Sequence, residues 1–467
     1  MTNLKNYLIG DRTFYRRVIS ILIPIIIQNT VTNVVSLLDN VMVGTVGTLQ
    51  MSAVAIVNQL LFVFYIAVFG GLSGAGIFAA QYAGAGDHKG VAHCFRMKAY
   101  IALGLVGAAL VVFLTVPQSL ISMYLAEGTS AEEASATLSF AEGYLGVMLV
   151  GILPFGISQV YGSTLRELGE TKVPMIASVS AIFVNLIFNY LLIFGNKGLP
   201  LLPFEPLGVM GAAIATVLSR FVEMAIIVAF VHKNAHRYPF IKEAYKSFKI
   251  PLILCGDIAK KGSPLLINEF FWSLGMALLS QCYSVRGLEA VAASNICTTA
   301  ANLFNVVFLS MGNAIAIVAG QHLGAGEFEK AKTSVWRLLA LSSAACVVMG
   351  GIVALCAPFI PLLYNTTDTV RGLATGMLFV SAAMMPIISF VHGCYFALRS
   401  GGRTLITLLF DCGFTWGVCL PLAFVLSRFT AMPLVMLYLC VQLVEVVKSG
   451  VGFILVKKGV WLNNIAR

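Results

Sequence analysis

Eight ionisable side chains lie inside long apolar stretches of this 467-residue sequence: Asp39, Arg220, Glu223, Glu269, His392, Asp411, Glu445 and Lys448. An ionisable group in hydrocarbon is unfavourable by roughly 2.5 to 3.5 kcal/mol on insertion scales, so each one needs a physical reason. Four of them form pairs at spacing i and i+3, Arg220 with Glu223 and Glu445 with Lys448. Such pairs can partly neutralise their own helix, so we interpret these four residues as structural.

Asp39 has possible partners at matching depth in the apolar stretches. It lies roughly 7 to 8 Å from the outer end of its helix, and Asn185, Asn189 and Thr216 lie about 15, 9 and 12 Å from the outer ends of theirs. Oxygen ligands around one carboxylate suit a hard monovalent cation, so Na⁺ bound by Asp39, Asn185 and Asn189 is one interpretation. A desolvated carboxylate equally suits a proton. In a third interpretation, Asp39 only ties its helix to its neighbours.

The second half of the chain carries a different set of polar residues. Glu269 is followed by three aromatic residues that end in Trp272, and an acid beside aromatic rings suits an organic cation. Asp411 and His392 are further candidates, with His392 expected to be neutral and hydrogen-bonded. We predict Glu269, Trp272, Asp411 and His392 as substrate-binding residues. The alternative is that they are polar anchors between helices.

The composition shows what must position these residues. The chain is 59% hydrophobic and only 11% charged, and its mean hydropathy is +0.91. These values exclude a soluble enzyme, a disulfide scaffold and a disordered regulator, and they predict an all-α polytopic membrane protein. Twelve stretches are long enough to cross a bilayer, at about 18–43, 51–80, 99–123, 138–164, 173–195, 208–231, 263–285, 291–320, 338–362, 373–398, 404–426 and 432–456.

The positive charges predict the orientation. With twelve spans, 24 Lys and Arg lie on the side of the termini and four lie on the other side: Lys197, Arg286, Arg371 and Arg428. The positive-inside rule therefore places both termini in the cytoplasm. The same rule accounts for the net charge of +10, so we predict no nucleic-acid partner.

The chain also repeats itself. A shift of 240 residues lays Gln81-Tyr-Ala-Gly-Ala-Gly-Asp87 on Gln321-His-Leu-Gly-Ala-Gly-Glu327, and a shift of 233 lays Arg166–Thr171 on Arg399–Thr404. Six spans in each half make the halves parallel repeats, an arrangement known from two-lobed transporters. We predict two six-helix lobes, 1–231 and 263–467, joined by a cytoplasmic linker at 232–262.

Motifs for other kinds of chemistry are missing from the sequence. It contains no phosphate-binding Gly-x-x-x-x-Gly-Lys loop and no Ser-His-Asp spacing, and the ten Cys have no metal-ligand spacing. We therefore expect no enzyme activity and no cofactor. Transport by such a chain would be driven by a gradient of an ion or of the cargo.

The sequence resembles the multidrug and toxic compound extrusion (MATE) family. The resemblance rests on Leu38-Asp-Asn-Val-Met-Val-Gly44, the two Gln-x-x-Gly-Ala-Gly turns and Leu165–Pro174, and on the stretches Asn185–Gly195 and Gly211–Thr216. It covers nearly the whole chain.

The resemblance implies a V-shaped bundle of two six-helix lobes that exports amphipathic organic cations in exchange for Na⁺ or H⁺ by alternating access. We further expect a monomer in the cell membrane. Functional family residues fall on Asp39, Asn185 and Thr216. This chain has Asn189 where some members have aspartate, and Trp272 where one branch has an acid. The alternatives are a lipid-linked oligosaccharide flippase of the same superfamily and a non-transport integral membrane protein.

Overall fold

The fold is described from a computed structural model that covers residues 9–124, 130–199 and 203–466. In these ranges it is helical without a strand, and twelve helices are long and apolar enough to cross a membrane. We number them span 1 to span 12: Arg12–Gly44, Thr48–Ala85, His88–Thr115, Ala131–Glu167, Lys172–Gly198, Val209–Lys233, Leu252–Ser284, Leu288–Gly324, Phe328–Cys356, Asp368–Ser400, Thr404–Phe429 and Leu434–Lys457. The predicted fold class, an all-α protein with twelve transmembrane helices, is confirmed.

Several helices begin earlier than hydropathy predicted. Span 3 begins at His88 rather than near residue 99, and span 7 begins at Leu252 rather than near 263. Charged residues at a membrane face are good helix formers, so the helix continues after the apolar stretch has ended. The region 232–262, predicted as a linker, thus contains the start of span 7 and a short helix, Pro239–Lys246, which we call the linker helix.

The sequence explains how several of these helices begin and bend. Ser130 precedes span 4 and accepts a hydrogen bond from the Glu133 amide at 3.3 Å, and Thr367 does the same for the first turn of span 10. Such caps satisfy amides that have no partner inside the helix. Pro24, Pro154, Pro264 and Pro386 lie inside spans 1, 4, 7 and 10, where each removes one backbone hydrogen bond.

The contacts within the molecule divide the chain into two compact units. The first unit contains Met1–Ile26, Ile77–Asp87 and Gly256–Arg467, and the second contains Ile27–Gly76 and His88–Cys255. In the first unit, Val18 and Ile21 of span 1 belong to a buried cluster with Ile315 of span 8 and Leu339 of span 9. Apolar burial therefore groups the start of span 1 with the C-terminal spans, although the two are far apart in sequence.

The two Gln-x-x-Gly-Ala-Gly turns meet in the first unit. A Cβ added at Gly84 would overlap the backbone of Gln321, and a Cβ added at Gly324 would overlap the backbone of Gln81. The ends of spans 2 and 8 thus cross at a distance that only glycine permits. The buried Gln81 side chain also joins span 2 to the end of span 10, because its amide nitrogen donates to the Ser400 carbonyl oxygen at 3.0 Å.

The last glycine of each turn ends its helix. Gly86 has φ +73° and Gly326 has φ +76°, a conformation that glycine adopts without strain. In both turns the following residue donates its amide to the carbonyl oxygen five residues earlier, Asp87 to Tyr82 and Glu327 to His322. This is a Schellman ending, and it stops both helices immediately after the crossing.

We expect Gly84→Ala to destabilise the protein by about 1 to 3 kcal/mol, because the added methyl group must push two backbones apart. The measurement is thermal unfolding of the purified chain in detergent. Gly104→Ala is the matched control, since a Cβ there meets no atom within 4 Å. Alanine is the better helix former, so this control should be neutral or slightly stabilising. Equal melting temperatures for the two variants would show that the crossing is unimportant for stability.

Candidate functional site

The second unit contains a polar cluster around Asp39 of span 1. The Asn189 side chain of span 5 donates to the Asp39 carboxylate at 2.7 Å and to the Asn185 amide oxygen at 3.2 Å. One end of the Asn185 amide lies 3.2 Å from the Thr216 hydroxyl of span 6. The other end lies 3.0 and 3.2 Å from the two Asp39 oxygens. When the amide is turned so that its nitrogen faces the carboxylate, it donates to these oxygens and no longer accepts from Asn189.

The structure therefore brings together all four residues that were predicted to couple an ion. Asn185 and Asn189 lie four residues apart on one face of span 5, and both are almost fully buried, at 6% and 1% exposure. Matching depth in three helices was enough to predict that they are neighbours. Their role in ion coupling stays a prediction.

One atom of this cluster has no partner. The side-chain oxygen of Asn189 is buried and accepts no hydrogen bond in the part of the chain that the structure describes. A buried polar atom without a partner is unfavourable by about 1 to 3 kcal/mol, so such an atom calls for an explanation. A cation bound to this oxygen would provide one, because hard cations prefer oxygen ligands.

The described residues contain no group of three or more His, Cys, Asp or Glu side chains that could hold a metal ion. The Asp39 cluster differs from such a centre because it has a single carboxylate and otherwise neutral oxygens. That charge suits a monovalent cation or a proton better than a divalent metal ion.

Tyr144 of span 4 is a buried neighbour of the cluster that the sequence analysis did not identify. Its side chain is 4% exposed and is close enough to interact electrostatically with Asp39. A tyrosine in an apolar stretch carries no charge and is common in helix packing, so its type alone gives no signal. Comparing the depths of polar residues in the predicted spans could have identified Tyr144 only if every hydroxyl-bearing side chain had been included.

The first unit contains a second polar cluster around Asp411 of span 11. Lys448 of span 12 donates to one carboxylate oxygen of Asp411 at 2.8 Å, and the Asn268 amide of span 7 donates to the other at 3.1 Å. Glu445, which was expected to be the partner of Lys448, lies farther away at 3.8 Å. The expectation that span 12 neutralises its own charge is thus incomplete, because the shorter ion pair joins two helices.

The other residues predicted to bind substrate lie at different distances from this cluster. Glu269 interacts electrostatically with Asp411 and Arg399, and His392 interacts electrostatically with Asp411 and Lys448. Trp272 is 41% exposed and makes no hydrogen bond or ring contact with these residues in the described structure. The structure therefore brings Glu269 and His392 within electrostatic range of Asp411, and it shows no direct contact of Trp272 with these three residues among those it describes.

The second unit has a related hydrogen-bonded chain. Gln28 of span 1 donates to the Ser178 hydroxyl at 3.0 Å, and Ser178 donates to Glu223 of span 6 at 2.7 Å. The predicted pair of Arg220 and Glu223 is present at 3.5 Å. The Arg220 guanidinium also lies 4.9 Å from the centre of the Phe155 ring, a cation–π distance.

These two chains occupy equivalent positions in the repeat. The shift of 240 residues matches the first members of the two chains, and the shift of 233 matches the second members. A shift of 225 residues lays the start of span 6 on the start of span 12, and it matches the third members. The pairs are Gln28 with Asn268, Ser178 with Asp411, and Glu223 with Lys448. The charge at the third position is inverted, and so is that of the neighbour three residues earlier, Arg220 in one half and Glu445 in the other. The repeat thus preserves a polar connection between equivalent helices, but acidic and basic residues are exchanged at two of its positions.

Twelve helices, a sequence repeat and a partly buried carboxylate beside two buried amides are the features of a polytopic membrane protein of the transporter class. A family model described as MatE matches residues 24–191 and 264–425, which together make up more than half of the chain. The chain therefore belongs to the MATE family of transporters, which are not enzymes. The two matched stretches begin 240 residues apart, which is the shift of the internal repeat.

The chain is similar to curated relatives along most of its length. A protein of Thermotoga maritima named as a probable multidrug resistance protein, NorM, is 26% identical over 91% of this chain and 89% of its own. A protein with the same name from Bacillus licheniformis is also 26% identical, over 89% of each chain.

Solved structures support the fold. One is described as the outward-facing conformation of a multidrug resistance MATE family transporter of the MOP superfamily, and it matches with a TM-score of 0.84 at 20% identity over 97% of each chain. A MOP superfamily transporter from Pyrococcus furiosus, described as having a binding pocket of reversed polarity that suggests a different function, matches with a TM-score of 0.82 at 19% identity over 98% of each chain. At these identities the similarity concerns the fold alone.

Proposed function

We propose that this chain is a secondary active antiporter that exports organic cations, including drugs, in exchange for Na⁺ or H⁺. The observation that carries the proposal is the Asp39 cluster: a single partly buried acid beside two buried amides and a hydroxyl, with one amide oxygen that accepts no hydrogen bond in the described structure. An acid inside a membrane span is favourable when its charge is neutralised by a cation or a proton. A change in access to the cluster would then couple ion movement to a change in conformation.

The drug part of the proposal is supported by the curated relatives, which are named as multidrug resistance proteins. In the second half of the chain, Glu269 is the strongest candidate for binding the positive charge of a substrate. Asp411 already has a cation of the protein 2.8 Å away, whereas Glu269 has no ion pair within 4 Å among the described residues. We place His392 and Trp272 at the edge of this substrate site, where aromatic surface can contact the cargo.

A flippase for lipid-linked sugars would need an unpaired positive charge to hold a pyrophosphate. The two basic residues that the sequence predicted inside the spans, Arg220 and Lys448, both lie within 4 Å of an acid. The antiporter proposal therefore remains preferred. We further propose that both termini lie in the cytoplasm, because 24 of the 30 Lys and Arg lie on the side of the termini. The proposed transporter is a monomer in the cell membrane.

Everted membrane vesicles test the antiporter proposal. A gradient of Na⁺ or H⁺, higher inside the vesicle, is imposed, an amphipathic organic cation is added outside, and a dye sensitive to Na⁺ or to pH reports the gradient. We expect the cation to dissipate one of the two gradients in vesicles that contain the protein. Vesicles from the same host without the protein are the control.

The two gradients are imposed in separate experiments, so the result also identifies the coupling ion. If no compound of a varied panel dissipates either gradient while uptake of the compounds still occurs, the protein is a uniporter and the antiport proposal is wrong. Ion flux that needs no organic cation would instead indicate a channel.

A further inference from the structure

A basic cavity lies between the start of span 3 and the linker helix, entirely within the second unit. Its volume is about 410 Å³. Four permanently charged basic side chains and one acidic side chain contribute to its lining: Lys89, Arg96, Lys246, Lys249 and Glu243. His93 lines it as well. Neither the Asp39 cluster nor the Asp411 cluster shares any of these residues.

Arg96 builds the wall of this cavity. It is only 7% exposed, and its guanidinium donates to the carbonyl oxygens of Ala244 at 2.8 Å, of Lys249 at 2.9 Å and of Glu243. A guanidinium has five donors in a fixed plane, so it can hold several carbonyl groups in one geometry. The segment after the linker helix is therefore fixed against span 3, and the cavity does not depend on a ligand for its shape.

The charge of the cavity favours an anion. Glu243 is paired with Lys246 at 2.5 Å, and the hydrogen bond from Lys246 lowers the pKa of Glu243. Glu243 therefore stays ionised at neutral pH and offsets one of the four basic groups, which leaves an excess of three positive charges. Lys246 and Lys249 are both exposed, so their ammonium groups are accessible to a ligand that enters from outside.

The surroundings of the cavity are apolar. Phe248, next to Lys249, is 73% exposed, and Leu252 and Ile253 at the start of span 7 are 86% and 82% exposed. Large apolar side chains beside clustered Lys and Arg are typical of the boundary between headgroups and acyl chains of a bilayer. A free phosphate ion would use the basic groups alone, whereas a phospholipid would use both kinds of surface.

We propose that this cavity binds the phosphate headgroup of an anionic phospholipid, with the acyl chains along Phe248, Leu252 and Ile253. Basic pockets between helices at the cytoplasmic face of membrane proteins are suited to such headgroups. Bound lipid would tie the linker helix and the start of span 3 to the membrane surface. The site is independent of the proposed antiport, since it shares no residue with the Asp39 cluster.

Lipid binding to the full chain in detergent micelles tests the proposal. Phosphatidylglycerol, phosphatidylcholine and inorganic phosphate are titrated separately, and bound lipid is measured by native mass spectrometry and by the shift in melting temperature. We expect phosphatidylglycerol to bind tightest. Lys246→Ala with Lys249→Ala should weaken its binding roughly 25-fold, about fivefold for each basic residue removed near an anionic headgroup.

The matched control removes two positive charges outside the cavity, with Lys233→Ala and Lys242→Ala, both of which are exposed. This control should keep the affinity of the wild type for phosphatidylglycerol. The single variants Lys246→Gln and Lys249→Gln repeat the test if the double variant does not fold, and each should weaken binding roughly fivefold.

Three results would overturn the proposal. If the control weakens binding as much as the cavity variant, the attraction is diffuse and no site exists. If all cavity variants bind phosphatidylglycerol like the wild type, the lysines do not contact the headgroup. If inorganic phosphate binds as tightly as phosphatidylglycerol and competes with it, the cavity is a site for soluble anions.

Discussion

Asp39→Asn is expected to reduce ion-coupled export in everted vesicles to the level of vesicles that lack the protein. Asparagine preserves the shape of the side chain, but it has no charge and cannot take up or release a proton. Its amide can still hydrogen-bond with Asn189, which now donates to the Asp39 carboxylate at 2.7 Å. The variant should therefore fold and reach the membrane while losing its response to the gradient.

The measurement is the dissipation of a Na⁺ or H⁺ gradient on addition of an organic cation, together with the amount of protein in the membrane. Asp368→Asn is the matched control, because this acid at the start of span 10 is 96% exposed and pairs only with its helix neighbour Arg371 in the described structure. It should transport like the wild type. A fully active Asp39→Asn variant would show that the acid only ties span 1 to span 5.

A second readout separates coupling from substrate binding. Binding of the organic cation to purified protein, without any gradient, should be largely preserved in Asp39→Asn, because Glu269 and Asp411 belong to the other unit. Loss of substrate binding together with coupling would instead indicate that the cargo itself contacts Asp39.

The sequence could predict the helices and part of the sites because both depend on simple periodic quantities. Bilayer thickness sets the length of an apolar stretch, so twelve spans could be counted. Helical rise converts residue number into depth, so Asp39 could be matched with Asn185, Asn189 and Thr216 on other helices. The pair of Arg220 and Glu223 followed from its spacing within one helix.

Contacts that depend on the rotation of one helix against another could not be predicted. The partner of Lys448 was expected within its own helix, at Glu445, but the shorter ion pair goes to Asp411 of span 11. Depth alone does not tell which face a helix turns to its neighbour. The rotation of span 12 depends on the packing of many side chains at once, and no single residue indicates it.

The repeat suggests why two halves with the same fold carry different polar residues. Glu223 in one half corresponds to Lys448 in the other, yet each is hydrogen-bonded to the equivalent helix, through Ser178 and Asp411. Duplication fixed the positions at which three helices of each half can be joined by polar contacts. The charges at those positions differ between the halves, and in the first half the Asp39 carboxylate has the neutral amides of Asn185 and Asn189 as its neighbours in the described structure.

The buried ion pair of Lys98 was missed because the start of span 3 was predicted too late in the sequence. Hydropathy predicted that span 3 begins near residue 99, which placed Lys98 in a loop. In the structure Lys98 lies inside span 3 and is fully buried, with its ammonium 2.5 Å from Glu167 at the end of span 4. Ser163 and Thr164 also accept hydrogen bonds from it, at 3.1 and 3.3 Å.

We expect Lys98→Met to destabilise the protein by about 3 to 5 kcal/mol, because it removes the buried ammonium that lies 2.5 Å from the Glu167 carboxylate, whose side chain is only 14% exposed. Lys98→Met combined with Glu167→Leu should recover most of this loss, since a buried ion pair can be replaced by packed apolar side chains. The measurement is chemical unfolding in detergent for both single variants and the double variant, which together form a double-mutant cycle.

The control cycle uses Lys330 and Glu327, an ion pair at 2.6 Å whose side chains are 69% and 38% exposed. Exposed pairs contribute about 0 to 1 kcal/mol, so Lys330→Met should change the stability little. If the double variant in spans 3 and 4 is as unstable as Lys98→Met alone, the loss reflects poor packing of the new side chains rather than an unpaired charge. A recovery specific to the buried pair would show that burial gives this interaction its strength, because the charges and the distance are nearly the same in both pairs.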